Sequence, residues 1–183
     1  ERLVADAEAL ELNPCWFGPS GLQARADGPA VRSELSATGI CATLVGDAGE
    51  IVGPVYKVLC LGGPGRKSLL ERLRRAYADR LEIAHSGLYL MEATAPRVSK
   101  QAAVARLAHR LQLTARETAA IGDSENDLAL IEWAGLGIAM GNGSPDVLRA
   151  ADWHTLGNEQ AGAAHALRAI VAANSSIGQG GAR

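Results

Sequence analysis

Asp123 and Asp127 stand four residues apart in the run Ile121-Gly122-Asp123-Ser124-Glu125-Asn126-Asp127. An apolar segment, 118–121, ends at Gly122, and a helical apolar pattern then begins with Leu128, Leu130, Ile131 and Ala134. This reads as a buried strand, a tight turn and a helix. The four-residue spacing brings both carboxylates near one another at the positive end of the helix dipole. Two carboxylates converging at the carboxyl end of a strand can hold a hard cation such as Mg²⁺. A structural reading competes for the same residues. Ser124-x-x-Asp127 is also a helix-capping box, common where no chemistry occurs. Capping accounts for Ser124 and Asp127 but not for Gly122, Asp123 or Asn126, so both readings stand on these residues alone.

Lys100 is the next candidate. It opens a helical pattern over 100–111, capped by Ser99, with Ala103, Val104, Leu107 and Leu111 on the face expected to turn inward. A lysine in the first turn faces the unfavourable end of the dipole, at a cost of ~0.3–1 kcal/mol. That placement suits a cation meant to meet a phosphate, and a solvated lysine is the plain alternative. Met140-Gly141-Asn142-Gly143-Ser144 lies between a strand and a short helix. It could turn backbone N–H groups toward an anion. The simpler reading is a turn with Ser144 as N-cap before Pro145.

Other segments carry less. Gly62-Gly63-Pro64-Gly65-Arg66-Lys67-Ser68 lacks the spacing of a phosphate-binding loop, because Arg66 separates the last glycine from Lys67-Ser68. Arg66 and Lys67 read as a solvated, basic helix start. His85, His109, His154 and His165 show no metal spacing and read as surface or satisfied residues.

Composition narrows the class. The chain has 183 residues, 48% of them hydrophobic, and a formal net charge of −2. It has room for one large or two small cores and makes no electrostatic case for nucleic acid. No apolar run approaches the ~20 residues of a membrane span. Cys15, Cys41 and Cys60 are widely spaced with no CxxC pair, as expected of reduced thiols in a cytoplasmic protein.

The elements that must position these residues fall into two rhythms. Through about residue 90, short β-like runs mix with helices over 1–12, 30–37 and 68–77, as in a small α+β sheet domain. Here 55–61 is the clearest strand, and Ser86-Gly87 signals a hairpin. After that, apolar strands at 118–121, 136–140 and near Trp153 alternate with helices over 100–111, 124–134, 145–150 and 161–173. Alternation of that kind predicts a parallel sheet with helices on its faces.

Val98-Ser99-Lys100, the 121–127 run, Gly137-Ile138-Ala139-Met140-Gly141-Asn142-Gly143 and Ala151-Asp152, in that order, resemble haloacid dehalogenase superfamily phosphatases. The resemblance is to the Cof-type, sugar-phosphatase-like branch with a large α/β cap, and it covers roughly residues 55–170. It implies an α/β fold, a partial Rossmann-like core with parallel strands plus an α+β cap domain. The implied domains are 1–92, a cap that selects substrate, and 93–174, the C-terminal half of the core; 175–183, rich in Gly and Ser, reads as a disordered tail. It implies Lys100 as the lysine that holds the phosphate, Asp123 and Asp127 as the acidic pair at Mg²⁺, and Asn126 as a loop-ordering or substrate-binding residue. The implied activity is hydrolysis of small phosphorylated metabolites, sugar phosphates or similar phosphomonoesters, through an aspartyl-phosphate.

One departure is large. The family's nucleophile lies in Asp-x-Asp-Gly-Thr on the first core strand, and no such motif occurs here. The nearest look-alike, Val45-Gly46-Asp47-Ala48-Gly49-Glu50, reads as a glycine-bounded turn. The expectation is therefore a truncated piece of such a phosphatase, inactive alone. The alternatives are a non-catalytic binding or interaction module of the same descent, and a chain whose missing strands come from another chain. On its own, strand 118–121 is expected to present an open sheet edge suited to self-association.

Overall fold

The computed structural model describes residues 2–25, 28–45, 53–87 and 89–179, which form two compact units, 1–99 and 100–183. Asp47 and the β-like pair 51–52 lie outside the described residues.

The first unit is a six-stranded sheet with helices on both faces. Its elements run α1 (Arg2–Ala9), β1 (Asn13–Gly18), β2 (Gly21–Ala24), α2 (Pro29–Thr38), β3 (Ala42–Leu44), β4 (Lys57–Leu61), α3 (Lys67–Tyr77), β5 (Glu82–Gly87) and β6 (Leu90–Thr94). The strand order is β3-β2-β1-β4-β6-β5, antiparallel except where β3 joins β2. Alternation along β4 divides the core in two. Cys60 points with Met91 and Ala93 toward α1 and α3, where Leu3, Ala7, Leu70, Leu73 and Tyr77 close the layer. Leu59 and Leu61 point the other way, with Cys15, Leu22 and Ala24, onto Val31 of α2. Gly39 ends α2 in the left-handed region at φ 67°, which a side chain would resist. Arg66 is structural, since its guanidinium donates to the carbonyls of Leu10 and Glu11 and pairs with the Glu11 carboxylate at 2.5 Å.

The second unit carries α4 (Lys100–Arg110), β7 (Ala119–Gly122), α5 (Glu125–Trp133), β8 (Leu136–Ala139), α6 (Pro145–Ala150), β9 (Trp153–His154) and α7 (Gly162–Gln179). Strands β7, β8 and β9 form a parallel sheet in that order. Ala120, Ile131, Ala139 and Val147 form its core, so the sheet packs against α5 and α6. A Cβ on Gly137 would lie 2.5 Å from the Ile131 carbonyl oxygen, so only glycine lets β8 approach α5 this closely. Asp152 closes the start of β8. Its carboxylate accepts the Gly137 N–H at 2.8 Å while its own N–H donates to the Gly137 carbonyl at 2.9 Å.

Three expectations change. The division between units falls after Ser99 rather than after residue 92, because β6 runs on to Thr94, whose hydroxyl donates to the Val98 carbonyl at 2.7 Å. Residues 175–179 continue α7 instead of opening a disordered tail. Helix already formed upstream propagates at one hydrogen bond per added residue, and the Ser175 hydroxyl bonds back to the Val171 carbonyl at 2.9 Å. Residues 180–183 lie outside the description. The third change is in α4. Ala108 is its buried residue, whereas Ala103 is exposed and Leu107 and Leu111 are 55% and 60% exposed. Apolar periodicity marks the face that favours cover; it does not supply the covering element. No described helix is long and apolar enough to cross a membrane.

Candidate active site

The site forms where β7 passes into α5. Gly122 ends the strand, Asp123 follows in the turn, and Ser124 is the N-cap of α5 in extended conformation. Asp127, at the third helical position, folds back over the strand end. Its Oδ2 accepts the N–H groups of Asp123 at 3.2 Å and Ser124 at 3.3 Å. That is a capping role, satisfying backbone donors that the first turn of a helix leaves without partners.

Asp127 also does what a capping residue need not do. Its Oδ1 accepts from Lys100 Nζ at 2.5 Å. The aspartate is 7% exposed, while about half of the lysine side chain meets solvent. The two readings of Asp127 therefore merge, with one oxygen capping α5 and the other anchoring the lysine that opens α4. A buried carboxylate requires such partners, because charge taken from water without them is strongly unfavourable.

Asp123 is more open. Its Oδ2 accepts from Asn142 Nδ2 at 3.0 Å. Its Oδ1 has only the Ser124 hydroxyl, at 3.4 Å, among the described residues. Asn126 lies in the same first turn of α5, and its Oδ1 is buried with no hydrogen-bond partner among the described residues. The structure thus brings Lys100, Asp123 and Asp127 together and sets Asn126 on the same helical turn.

The donor chemistry fits a hard divalent cation. Carboxylate and amide oxygens are the ligands Mg²⁺ prefers, and a buried amide oxygen without a partner is the kind of group that a cation or its waters would satisfy. The set is partial. Among the described residues, no three His, Cys, Asp or Glu side chains gather around one point. Asp123 has the freer carboxylate for such an ion, since both oxygens of Asp127 already accept from protein donors.

In the 141–143 turn the Gly141 and Gly143 N–H groups, like that of Ser144 after it, are taken up by carbonyls rather than offered to an anion. Gly141 donates to the Leu156 carbonyl at 3.2 Å, Gly143 to the Met140 carbonyl at 2.8 Å and Ser144 to the Asp123 carbonyl at 2.8 Å. Ser144 is the N-cap of α6, its hydroxyl accepting the Val147 N–H at 3.4 Å. Sequence reasoning gave Asn142 no role of its own. A usable signal was present: β7 and β8 are parallel with Gly122 opposite Ala139, so the loops after them must be neighbours. Three histidines hold ordinary partners: His85 lies 2.7 Å from Glu71, His154 2.8 Å from the Leu148 carbonyl and His165 3.2 Å from the Thr155 hydroxyl, while His109 is exposed.

Comparison with known proteins follows the same lines. Phosphatase YwpJ of Bacillus subtilis is 39% identical over 98 residues, 54% of this chain and 34% of that protein. The 5-amino-6-(5-phospho-D-ribitylamino)uracil phosphatase YcsE of the same organism is 41% identical over 103 residues, 56% of this chain and 41% of that protein. The chain thus spans less than half the length of these curated relatives. A haloacid dehalogenase-like hydrolase of solved structure from B. subtilis superposes with a TM-score of 0.82 at 26% identity, covering 91% of this chain and 68% of that one. The family model described as haloacid dehalogenase-like hydrolase matches residues 52–167, a stretch holding Lys100, Asp123, Asn126 and Asp127. With well over half of its length matched and the clustered side chains inside the match, the chain belongs to the haloacid dehalogenase-like hydrolases.

Proposed function

We propose that this chain is the substrate-selecting and charge-compensating part of a Mg²⁺-dependent phosphohydrolase of small phosphorylated metabolites, sugar phosphates or similar monoesters. The observation that carries the reading is the Lys100–Asp127 pair, held beside Asp123 at the carboxyl end of β7. Phosphoryl transfer depends chiefly on positioning and on neutralising charge around phosphorus. Lys100 supplies a cation for the phosphate oxygens, and Asp127 fixes where that cation sits. Asp123 and Asp127 form the acidic pair of the metal site, with Asp123 making the closer approach. Asn126 is the loop-ordering or substrate-binding residue of the same turn. Bound Mg²⁺ would add charge neutralisation on the transferring group.

The first unit acts as the cap that selects substrate, and residues from Lys100 onward belong to the core. The attacking aspartate, which would carry the aspartyl-phosphate, is not among these residues. The similarity to YcsE, a phosphatase of a phosphorylated ribityl compound, supports this substrate class. The test is turnover of an aryl phosphate with Mg²⁺ by the 183-residue chain, which is expected to be negligible. Robust turnover abolished by Asp47→Asn would overturn the assignment of the nucleophile to a segment elsewhere.

A second reading, a non-catalytic interaction module of the same descent, is favoured by two features of the second unit, the exposed Leu107 and Leu111 and a strand, β7, at the edge of its sheet. It predicts self-association with Mg²⁺ or phosphate binding but no hydrolysis by any longer form of the protein.

A further inference from the structure

Asn142 joins three loops at the carboxyl ends of the parallel strands. Its Nδ2 donates to Asp123 Oδ2 at 3.0 Å, after β7, and its Oδ1 accepts the Asn158 N–H at 2.9 Å, after β9. Only one orientation of the amide satisfies both neighbours. A carboxylate needs a donor and a backbone N–H needs an acceptor, so a flipped amide would lose both bonds. Neither Asp nor Gln reproduces this pair of bonds: Asp has no donor when ionised, and Gln is one methylene too long.

The backbone on either side of Asn142 is pinned. Gly141 packs so close to the neighbouring loop that a Cβ there would lie 2.9 Å from the Gly157 nitrogen. The Gly141 N–H to the Leu156 carbonyl and the Ser144 N–H to the Asp123 carbonyl clamp the turn from both ends. The side chain therefore projects from a fixed platform, even though it is exposed.

We propose that Asn142 is a positioning residue that holds the Asp123 carboxylate by Oδ2 and so leaves Oδ1 as the oxygen presented to a divalent cation. This rests on the reading of Asp123 as a metal ligand. Outer partners of this kind orient a ligand before the ion arrives. Without Asn142, Asp123 would rotate among several orientations, and binding the ion would have to select one.

The experiment is Mn²⁺ binding, followed by the electron paramagnetic resonance signal of the free ion, with thermal melting alongside. It uses the 183-residue chain and the variants Asp123→Asn, Asn142→Ala and Asn142→Asp. Asp123→Asn is expected to abolish binding. Asn142→Ala is expected to weaken it roughly tenfold, the lower end for loss of an outer partner. Asn142→Asp keeps the acceptor for Asn158 but loses the donor to Asp123 Oδ2; one more charge at close range recovers roughly fivefold of the loss, so binding is expected to stay roughly twofold weaker than the parent's. A merely structural role would weaken binding only in step with a fall in melting temperature, and that result would overturn the proposal. So would Asn142→Ala binding like the parent while Asp123→Asn does not bind. Absence of Mn²⁺ binding by the parent chain would overturn the metal reading of Asp123, and this proposal with it.

Discussion

A Cβ placed on Gly122 would lie 2.4 Å from the Cβ of Asp127 and 2.7 Å from its carboxyl carbon. The site therefore depends on a missing side chain. The carboxylate of Asp127 rests against the end of β7, and from there it reaches both the backbone of the turn and Lys100. Gly122 is not among the residues with positive φ, so clearance rather than backbone freedom explains it.

Gly122→Ala is accordingly predicted to push Asp127 off the strand end. Overpacking of this kind typically costs ~1–3 kcal/mol. Urea denaturation should show the loss. An NMR or crystal structure of the variant should show Lys100 separated from Asp127. A variant as stable as the parent, with the pair intact, would mean that the strand end shifts without strain.

Lys100 and Asp127 should contribute unequally to stability. Asp127→Ala removes the carboxylate that accepts two backbone N–H groups as well as the lysine, and loss of a cap alone costs ~0.5–2 kcal/mol. Lys100→Ala removes one partner of a pair open to water on the lysine side, where such pairs are worth ~0–1 kcal/mol. Denaturant titration of the two single variants and the double variant measures both terms and their coupling. Equal losses for the two single variants would contradict the capping role assigned to Asp127.

Much of this site was legible before any coordinates. Gly122, Asp123 and Asp127 mark a strand, a turn and a helix start by type and spacing, and Lys100 marks the opening of α4. The division of labour within Asp127 was not legible, because capping and ion pairing call for the same residue. Asn142 was not legible as a partner of Asp123, since 19 positions separate them and only the parallel register of β7 and β8 brings them together. The face of α4 was legible as apolar, but Leu107 and Leu111 do not say what covers them. Likewise Arg66, which reads as solvated, is drawn inward by carbonyls of Leu10 and Glu11, whose position depends on how α1 ends.

Thiol reactivity should follow burial. Cys15 and Cys60 are buried and Cys41 is exposed. Burial pushes the Cys15 thiol up to about 11, aided by Glu34, and that of Cys60 up to about 12, aided by Cys15. At mildly alkaline pH a disulfide reagent should therefore label Cys41 in the folded chain and the other two only on unfolding. The sign for stability follows. Below the ordinary thiol value of 9.0 both states carry neutral thiols, and the contribution is fully present. From 9.0 to about 11 for Cys15, and to about 12 for Cys60, the unfolded chain loses protons that the folded chain retains, so stability falls as pH rises. Tyr77, raised by burial and by its hydrogen bond to Asp6, adds to the fall in the same direction. Denaturation midpoints measured across this window check the slope, and Cys60→Ala should flatten it. An unchanged slope in Cys60→Ala would assign the fall to other groups.

The last prediction concerns two uncovered features of the second unit. Strand β7 is the first strand of its sheet, so among the described residues one row of its backbone groups has no strand partner. Leu107 on α4 and Leu111, just past its end and hydrogen-bonded back to the Leu107 carbonyl, are one turn apart and more than half exposed, so they form one apolar ridge. An open strand edge and an apolar ridge both favour pairing with another chain. Sedimentation velocity of the 183-residue chain should therefore show a concentration-dependent shift toward dimer. The double variant Leu107→Glu, Leu111→Glu should remain monomeric at the same concentrations. Both positions face solvent, so the substitutions should leave the melting temperature of the monomer nearly unchanged, which separates lost association from lost folding. A parent chain that stays monomeric at every accessible concentration would show that this surface does not drive association on its own.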